Sequence, residues 1–498
     1  MNSTLPIAVI GAGPVGLAAA AHLIERGETP VVFEAGSTIG ANMLNWGHVR
    51  MFSPWEFTVD RASVRLLEQH GWQMPPLNDL PTGRDLVERY LVPLSELPEV
   101  REHIHLNAQV MAVSRRNIDK MKNVGRDDAP FVLHVVYGDG TEVLIEAKAV
   151  IDASGTWHKP NPLGSDGLPA VGENRQAQHI FYGIPDVLGS QRERYGNKRV
   201  MVVGSGHSAI NALLELAELK NTASDTTIYW AMRGKNLKQV YGGGEDDALP
   251  ARGRLGTRVQ THVDDGTIEI VSPFRVREIT AAASGINVIG ETPNGLQTVQ
   301  VDEIVATTGA RTDLDMLREL RLELDPALES TRALGPMIDP NIHSCGTVRP
   351  HGEAELRHPE KNFYIVGMKS YGRAPTFLLA TGYEQVRSVV AGLVGDWEAA
   401  RDVQLNLPET GVCSTDLAGE GAACCGTPAV QSEPALISLG TIPAGNLQSN
   451  VRLQPMSLQA VPVQGVTATA TRDCGCDDTC CGDGVKSTTC GCDSTCCS

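Results

Sequence analysis

Residues 7–34, IAVIGAGPVGLAAAAHLIERGETPVVFE, decide the fold of the N-terminal part of the chain. A short apolar strand leads into a glycine-rich turn, an alanine-rich stretch that favours helix follows, and a second apolar strand ends at Glu34. One glycine makes the tight turn, one lets a pyrophosphate approach the backbone, and one lets helix and strand pack closely. Glu34 is placed to bind ribose hydroxyls. The residues predicted to hold the phosphates at the helix N-terminus are Gly11, Ala12, Gly13, Pro14 and Gly16.

The same arrangement recurs at residues 199–233. The strand RVMVV precedes GSGHSA, in which Gly204 and Gly206 repeat the first two glycines and alanine takes the third place. The second strand of this unit ends at Arg233, where the first unit has Glu34. A carboxylate would repel a 2′-phosphate, whereas a guanidinium would bind it, so this unit is predicted to bind NADPH rather than NADH. A solvated cation at a strand end is the alternative for Arg233.

The composition fits a multidomain globular protein and argues against several functions. The chain has 498 residues, 42% of them apolar, which is enough for two or three domains with their own cores. A formal net charge of −17 leaves no cationic face for a nucleic acid. The sequence has neither a basic leader nor an apolar run approaching the roughly 20 residues that span a bilayer. We therefore expect a cytoplasmic protein without a nucleic-acid or membrane partner.

Cysteine is distributed unevenly along the chain. Of the twelve cysteines, only Cys345 precedes residue 399, and a single cysteine is more often inert than catalytic. Eight others form two copies of one phrase at the C-terminus, CGCDDTCC and CGCDSTCC. In a reducing cytosol, such clustered thiols favour a soft metal or exchange chemistry. A zinc or copper buffer and an extension without function are the alternatives. The predicted metal ligands are Cys474, Cys476, Cys480, Cys481, Cys490, Cys492, Cys496 and Cys497.

The order of these motifs predicts an α/β fold with two Rossmann-like dinucleotide-binding domains and a flexible cysteine-rich C-terminal tail. Residues 1–190 and 336–398 are predicted to form the first domain, which is discontinuous, and residues 191–335 the second. In 399–470, Pro, Ser, Gly, Gln and Thr replace any sustained helical pattern, so this segment is predicted to be a linker. Residues 471–498 form the repeat tail.

Over residues 5–398 the sequence resembles the flavoproteins that have two dinucleotide-binding domains. LNAQVMAV (106–113) is similar to the strand whose backbone, near Val110, contacts the FAD adenine. DASGT and ATTGA, which contain Gly155 and Gly309, are similar to the strands that return the chain beneath each nucleotide. NFYIVG, which ends at Gly367, is similar to the segment that closes over the flavin. The resemblance implies an oxidoreductase with FAD in the first domain and NADPH in the second.

Two further stretches narrow the resemblance. GANMLNWGHVRMFSPW (40–55) and GMKSYGRAPTFLLATGYEQVR (367–387) are similar to the flavin-containing monooxygenases, particularly those of arsenical-resistance operons. This implies that Trp46, His48 and Arg50 lie near the isoalloxazine and the substrate. Packing in a core or an ion pair at the surface is the alternative for these side chains. The sequence departs from one pattern of these monooxygenases, Gly-x-x-x-His, in which three residues separate the glycine from the histidine. Here six residues separate Gly172 from His179.

The disulfide reductases of this architecture carry a cysteine pair near the flavin, which the body of this chain lacks. We therefore expect the substrate to react directly at the flavin. Oxidation of a trivalent methylarsenical that the tail captures is the leading hypothesis. An NADPH-dependent reductase of low-molecular-weight disulfides and a flavoprotein fused to a soft-metal buffer are the alternatives. In each case the tail could serve its own active site or that of a second copy in a homodimer.

Overall fold

The structure is a computed structural model that describes residues 5–234, 240–241, 250–342, 348–375 and 377–405. The described residues belong to one compact unit, and the unit of residues 423–498 lies outside them. The strands are β1 (Ile7–Ile10), β2 (Pro30–Phe33), β3 (Ile104–His105), β4 (Ala108–Arg115), β5 (Phe131–Tyr137), β6 (Glu142–Ala147), β7 (Ala149–Asp152), β8 (Ile180–Tyr182), β9 (Arg199–Val203), β10 (Thr227–Ala231), β11 (Ile268–Val271), β12 (Arg275–Ala281), β13 (Ile286–Thr292), β14 (Gly295–Val301), β15 (Glu303–Ala306) and β16 (Phe363–Ile365).

Five longer helices among the described residues are labelled, and shorter helical segments connect the strands. The labelled helices are α1 (Pro14–Glu25), α2 (Arg61–Gln69), α3 (His207–Lys220), α4 (Pro250–Asp264) and α5 (Leu379–Leu393). The short α-helices are Ala41–Leu44, Gly83–Leu86, Val92–Glu96, Pro98–Arg101, Arg192–Tyr195, Gly335–Ile338, Glu353–Leu356 and Trp397–Arg401. The 3-10 segments are Trp55–Phe57, Glu173–His179, Asp315–Leu317 and Gly367–Tyr371, and Val87–Leu91 forms a π-helical turn. No described helix is both long and apolar enough to cross a membrane.

The first domain has three layers. Its central sheet is parallel, with the described strands in the order β16-β7-β1-β2-β3. Every residue of β1 is buried, as expected for a parallel strand that is covered on both faces. Helices α1, α2 and α5 cover one face. The antiparallel sheet β4-β5-β6 covers the other, and its β5–β6 hairpin turns at Gly138–Gly140.

The second domain repeats this construction. The described strands of its parallel sheet have the order β11-β10-β9-β15-β8, with α3 and α4 on one face. The antiparallel sheet β12-β13-β14 packs on the opposite face. The predicted α/β fold with two Rossmann-like domains is therefore confirmed, whereas the predicted tail lies outside the described residues.

The chain passes between the domains at two adjacent points. Pro160 and Ala310 form an antiparallel bridge, and the amide of Asn161 donates to the Gly309 carbonyl at 2.9 Å. Leu163 already packs in the core of the second domain. The first crossing, at Pro160, lies before the predicted boundary at 190/191, and the second, at Ala310, lies before the predicted boundary at 335/336. The glycine motifs do not reveal that β8 pairs with β15 in the second sheet. They also do not reveal that Leu314, Leu317 and Leu320 pack against the first domain.

The predicted start of the linker, residue 399, falls inside the short helix Trp397–Arg401. Two side chains of α5 bind the backbone of this region. Arg387 donates to the carbonyls of Ala399 and Asp402, and Ser388 donates to the Ala400 carbonyl at 2.6 Å. The folded body therefore extends beyond the predicted boundary.

A buried ion pair joins the end of β7 to the segment that follows β16. Lys369 Nζ lies 2.7 Å from Asp152 Oδ2, and the two side chains are 1% and 0% exposed. The ammonium group also donates to Ser154 Oγ at 3.0 Å, and this hydroxyl donates to Asp152 Oδ1. Charges buried this deeply are tolerated only when they are paired and hydrogen-bonded. The pair fixes Gly367–Tyr371 beside the first glycine loop.

We expect Lys369→Met to lower the free energy of unfolding by about 3–5 kcal/mol, because it leaves the Asp152 carboxylate buried without its counter-ion. Urea denaturation measures this change. The double variant K369M/D152N should be less destabilised, because it removes the uncompensated charge. Arg318→Met is a control at the exposed Arg318–Asp315 pair and should cost about 0–1 kcal/mol. A loss no larger for Lys369→Met than for this control would contradict the assignment.

Candidate cofactor site and active site

The first glycine loop has no space for side chains at two positions and open space at a third. Gly11 has φ +99°, and a Cβ there would lie 2.9 Å from the Ala153 carbonyl oxygen. A Cβ at Gly16 would lie 1.9 Å from the carbonyl oxygen of Gly11. At Gly13, which caps α1 without a side-chain hydrogen bond, a Cβ would meet nothing within 4 Å. The free N–H groups at the start of α1 therefore face an open approach that fits a phosphate group.

Glu34 lies directly after β2 and borders this loop. Its Oε2 accepts the N–H of Ala12 at 2.8 Å, and its Oε1 accepts the N–H of Gly36 at 2.8 Å. These bonds hold the carboxylate beside the glycine turn. Each oxygen retains a lone pair, so the group fits the predicted role of binding ribose hydroxyls.

The second glycine loop repeats the first in the other domain. Gly204 has φ +138°, and a Cβ there would lie 2.5 Å from the backbone and side-chain oxygens of Thr307. Gly206 caps α3 without a side-chain hydrogen bond, and a Cβ at this position would meet nothing within 4 Å. Trp230 Nε1 donates to the Gly204 carbonyl at 2.7 Å, which fixes the turn. This loop also fits a dinucleotide pyrophosphate.

Arg233 lies two residues beyond the end of β10, rather than at the strand end as predicted. Its side chain is exposed, and Nη1 donates to the Ser165 carbonyl at 3.2 Å. The guanidinium therefore lies at the carboxyl edge of the second sheet, which is where ligands of such sheets bind.

Three other predicted cofactor residues, Gly155, Gly309 and Gly367, follow the carboxyl ends of parallel strands. Gly155 has φ +70° and open space around its Cα, and Gly309 has φ +83°. Gly367 has φ +67°, and a Cβ there would meet the Val15 side chain at 3.3 Å, against the first loop. Val110 is buried in β4 at a bulge.

The three predicted active-site candidates have different environments. The indole of Trp46 covers Gly83, where a Cβ would lie 2.7 Å from the ring. Arg50 is exposed and donates to the Leu80 carbonyl at 2.8 Å, which anchors the 40–57 loop to the following segment. His48 differs from both, because its Nε2 is buried and has no hydrogen-bond partner among the described residues.

His48 faces a segment of the second domain that the sequence did not indicate. The backbone of Pro185 lies beside the imidazole, and Asp186 and Arg84 are the charged groups nearby. Burial lowers the pKa of His48 below its ordinary value, and Asp186 opposes this effect. The neutral imidazole thus presents at Nε2 a nitrogen that donates or accepts a hydrogen bond depending on its tautomer.

Two carboxyl groups lie in or beside this segment. Burial raises the pKa of Asp186, but hydrogen bonds from Ser190 outweigh burial and hold this pKa below its ordinary value. Glu215 of α3 lies beside Val187, whose N–H donates to the Pro185 carbonyl at 2.9 Å, and burial raises the pKa of Glu215 to about 7. Its Oε2 is buried without a partner among the described residues. Nothing in the local sequence marks Asp186 or Glu215, because the neighbours concerned, His48 for Asp186 and Val187 for Glu215, are distant in sequence.

Gly172 and His179 have structural roles. A Cβ at Gly172 would lie 2.2 Å from the carbonyl oxygen of Ile279, and His179 Nδ1 lies 2.9 Å from the Asp302 carbonyl oxygen. The described residues contain no cluster of three or more His, Cys, Asp or Glu side chains that could hold a metal ion. Cys345 and the eight predicted metal ligands lie outside the described residues.

These features define a flavoenzyme of the class with two dinucleotide-binding domains. The chain belongs to the pyridine nucleotide-disulphide oxidoreductase family, whose model matches residues 8–332. It is 23% identical over 348 residues to the ferredoxin–NADP reductase of Lactobacillus johnsonii, which covers 68% of this chain and 85% of that protein.

Two solved structures share the fold. Bacillithiol disulfide reductase Bdr (YpdA) from Bacillus cereus superposes with a TM-score of 0.58 at 20% identity, over 80% of this chain and 99% of that one. The FAD-bound cadaverine monooxygenase DfoA from Erwinia amylovora has a TM-score of 0.57 at 12% identity, over 83% and 100%. The predictions of a flavin-dependent oxidoreductase, with FAD and NADP as the cofactors, are confirmed. The narrower resemblance to arsenical-resistance monooxygenases stays a hypothesis.

We expect Gly13→Ala and Gly16→Ala to separate cofactor binding from folding. Alanine fits at residue 13, so the free energy of unfolding of the cofactor-free protein should change by less than about 0.5 kcal/mol. FAD affinity, measured by flavin fluorescence titration, should fall by about tenfold or more, because the methyl group occupies the phosphate approach. Gly16→Ala should instead destabilise the protein itself. Unchanged FAD affinity in Gly13→Ala would place the pyrophosphate elsewhere.

Proposed function

We propose that this protein is an NADPH-dependent flavin oxidoreductase that acts on a small thiophilic substrate, with a trivalent arsenical as the leading candidate. The observation that carries the proposal is the absence of cysteine from every described residue, together with the two complete dinucleotide loops. An internal dithiol cannot pass electrons from the flavin to the substrate in the described body. The substrate must therefore approach the cofactors themselves.

The residues of the chain supply binding and orientation for this chemistry. Bound FAD supplies the transfer of a hydride from NADPH and of an electron pair to a second substrate. The N-terminus of α1 and Glu34 would hold FAD, and the N-terminus of α3 and Arg233 would hold NADPH. His48 offers a buried ring nitrogen without a partner among the described residues at the junction of the two domains.

The composition of the C-terminus supports the arsenical as the substrate. Trivalent arsenicals bind two or three thiolates, and the repeats offer eight. In the overall reaction, arsenic loses two electrons and gains one oxygen atom, while NADPH supplies two more electrons. One molecule of O₂ accepts all four electrons and supplies the oxygen atom, and its second atom leaves as water after uptake of a proton. The pentavalent product no longer binds thiols, so it would leave the tail.

A reductase of low-molecular-weight disulfides is the second candidate. It is supported by the shared fold of the bacillithiol disulfide reductase from Bacillus cereus. Here NADPH and one proton convert the disulfide into two thiols without oxygen. The tail would then be a separate soft-metal buffer or an exchanging dithiol.

NADPH oxidation by the purified protein separates the candidates. The assay compares methylarsenite, small disulfides and mercuric ion, each with and without oxygen. The leading proposal requires stimulation by methylarsenite that depends on oxygen, with the pentavalent arsenical as product. Stimulation by disulfides in the absence of oxygen would support the reductase instead.

We expect Arg233→Ala to lower kcat/KM for NADPH by roughly tenfold to a hundredfold, the effect of losing a charged hydrogen-bonded contact to a phosphate. The value for NADH should change little, since NADH lacks the 2′-phosphate. Steady-state kinetics with both dinucleotides measure the difference. Equal losses with NADPH and NADH would show that Arg233 supports the structure through Ser165.

We expect deletion of residues 423–498 to weaken turnover at low arsenical concentration and to matter little at saturation. A tethered thiol site raises the local substrate concentration to about millimolar, provided the tether reaches. A random coil of about 70 residues has a root-mean-square span of roughly 45 Å. FAD content and unfolding temperature should stay the same, because both nucleotide loops remain. The double variant C496S/C497S should reproduce part of the loss.

Two results would contradict this role of the tail. Equal turnover of the full-length and shortened proteins at every arsenical concentration would leave only the buffer hypothesis. Complete loss of activity at every concentration would instead make the tail part of the catalytic cycle.

A further inference from the structure

The side chain of Gln385, on α5, is buried and uses its whole amide group for hydrogen bonds. The residue is 0% exposed, and its Oε1 accepts the N–H of Gly367 at 2.8 Å. A backbone N–H can only donate, so this contact fixes which end of the amide is the oxygen. The NH₂ group therefore points the other way. Its nitrogen lies 2.9 Å from Ser370 Oγ and 2.9 Å from His351 Nε2.

These hydrogen bonds determine the protonation state of His351. The NH₂ group of Gln385 donates, so His351 Nε2 must accept and carries no proton. His351 Nδ1 lies 3.0 Å from the carbonyl oxygen of Arg349, which can only accept, so Nδ1 carries the proton. The network is therefore complete with a neutral imidazole. A proton added at Nε2 would set one donor against another and break the contact with Gln385.

The surroundings of His351 favour the neutral ring. The residue is 3% exposed, and the ring of Tyr371 lies 5.6 Å from the imidazole. Burial lowers the pKa of His351 below its ordinary value. The Arg349 carbonyl and the nearby carboxylates of Glu355 and Glu384 oppose burial, because each favours the charged ring. Since this pKa is lower in the folded protein, the contribution of the network to stability is complete above about pH 6.5 and is lost as the pH falls through the lowered value.

Two partners of Gln385 belong to the segment Gly367–Tyr371, which borders the first glycine loop. Gly367 follows the carboxyl end of β16, and a Cβ there would lie 3.3 Å from the side chain of Val15, at the start of α1. Ser370 Oγ donates to the Gly367 carbonyl at 2.7 Å. Gln385 therefore holds both the N–H of Gly367 and the side chain that binds its carbonyl. This backbone packs against the loop that would hold FAD.

We propose that Gln385 is a positioning residue of the FAD site, and that it acts only while His351 is neutral. Proton uptake at His351 Nε2 separates the ring from the Gln385 amide, loosens the Gly367–Tyr371 segment beside α1 and speeds the release of FAD. The inference rests on the FAD site of the proposed function and is independent of the substrate that is oxidised or reduced.

Release of FAD from the full-length holoprotein tests this role without turnover. The loaded protein is diluted into buffers of different pH, and the fluorescence of the released flavin gives a rate at each pH. The protonated fraction of a histidine with a lowered pKa grows by up to about tenfold for each pH unit. The release rate of the parent protein should therefore rise by about tenfold between about pH 7.5 and about pH 5.5.

Three variants keep the result interpretable. His351→Gln places an amide oxygen, which does not titrate, near the position of Nε2, so its release rate should stay within about threefold of the neutral parent at both pH values. Gln385→Met leaves the Gly367 N–H buried without an acceptor and should release FAD about tenfold faster already at neutral pH, with no further effect of acid. His70→Gln changes an exposed histidine that pairs with Glu99 and should keep the pH profile of the parent.

The unfolding temperature shows whether each variant is folded. If Gln385→Met does not fold, the comparison of the parent protein with His351→Gln decides alone. These two proteins differ only in whether the group beside the Gln385 amide can take up a proton.

Each other outcome overturns the inference. A release rate of the parent that does not change with pH would mean that no proton controls the site. An acid effect as large in His351→Gln as in the parent, or its loss in His70→Gln, would mean that a different group takes up the proton. Unchanged release in a folded Gln385→Met variant would mean that the amide does not position the FAD site. Failure of the FAD site itself is distinguishable, because it would appear as unchanged FAD affinity in Gly13→Ala.

Discussion

The close approach of two backbones at the start of α1 is the constraint on which the rest of the structure depends. A Cβ at Gly16 would lie 1.9 Å from the Gly11 carbonyl oxygen, so only glycine allows α1 to begin this near to β1. This contact positions the start of α1, so that the approach at Gly13 stays open. It also positions the N–H of Ala12, which donates to Glu34. Gly204 meets Thr307 in the same way in the second domain. One backbone device, used twice, provides both cofactor loops.

What could be predicted from the sequence depends on how far apart the interacting residues are. The glycine units, Glu34 and the β5–β6 hairpin depend on neighbours within one strand-turn-helix or strand-turn-strand unit, and the local pattern is sufficient for these. The Lys369–Asp152 pair joins residues 217 positions apart, and the His48–Pro185 contact joins two domains. No local pattern encodes such contacts. Domain boundaries are hard to place from sequence for the same reason, since β8 joins the second sheet by pairing with the distant β15.

The candidate site shows how one stretch of sequence divides into separate roles. The resemblance grouped Trp46, His48 and Arg50 near the flavin and the substrate. In the structure, Trp46 packs on Gly83 and Arg50 binds a backbone carbonyl, so both hold the loop in place. Of these three side chains, only His48 has a buried polar atom without a hydrogen-bond partner among the described residues. The described body thus provides two cofactor loops and one buried ring nitrogen without a partner, and none of its described residues is a cysteine.

The adjacent crossings between the domains also affect how this chain can be rearranged. One segment of the chain enters the second domain and another leaves it, and a bridge between Pro160 and Ala310 joins the two. Asn161 donates to the Thr308 and Gly309 carbonyls. The whole NADP(H)-binding portion is therefore an insertion whose two ends are neighbours. Such an insertion can be exchanged between related enzymes, or its order in the gene permuted, without separating residues that are close in space. The part of the chain that binds the electron donor can thus be exchanged as a unit while the rest of the enzyme is kept.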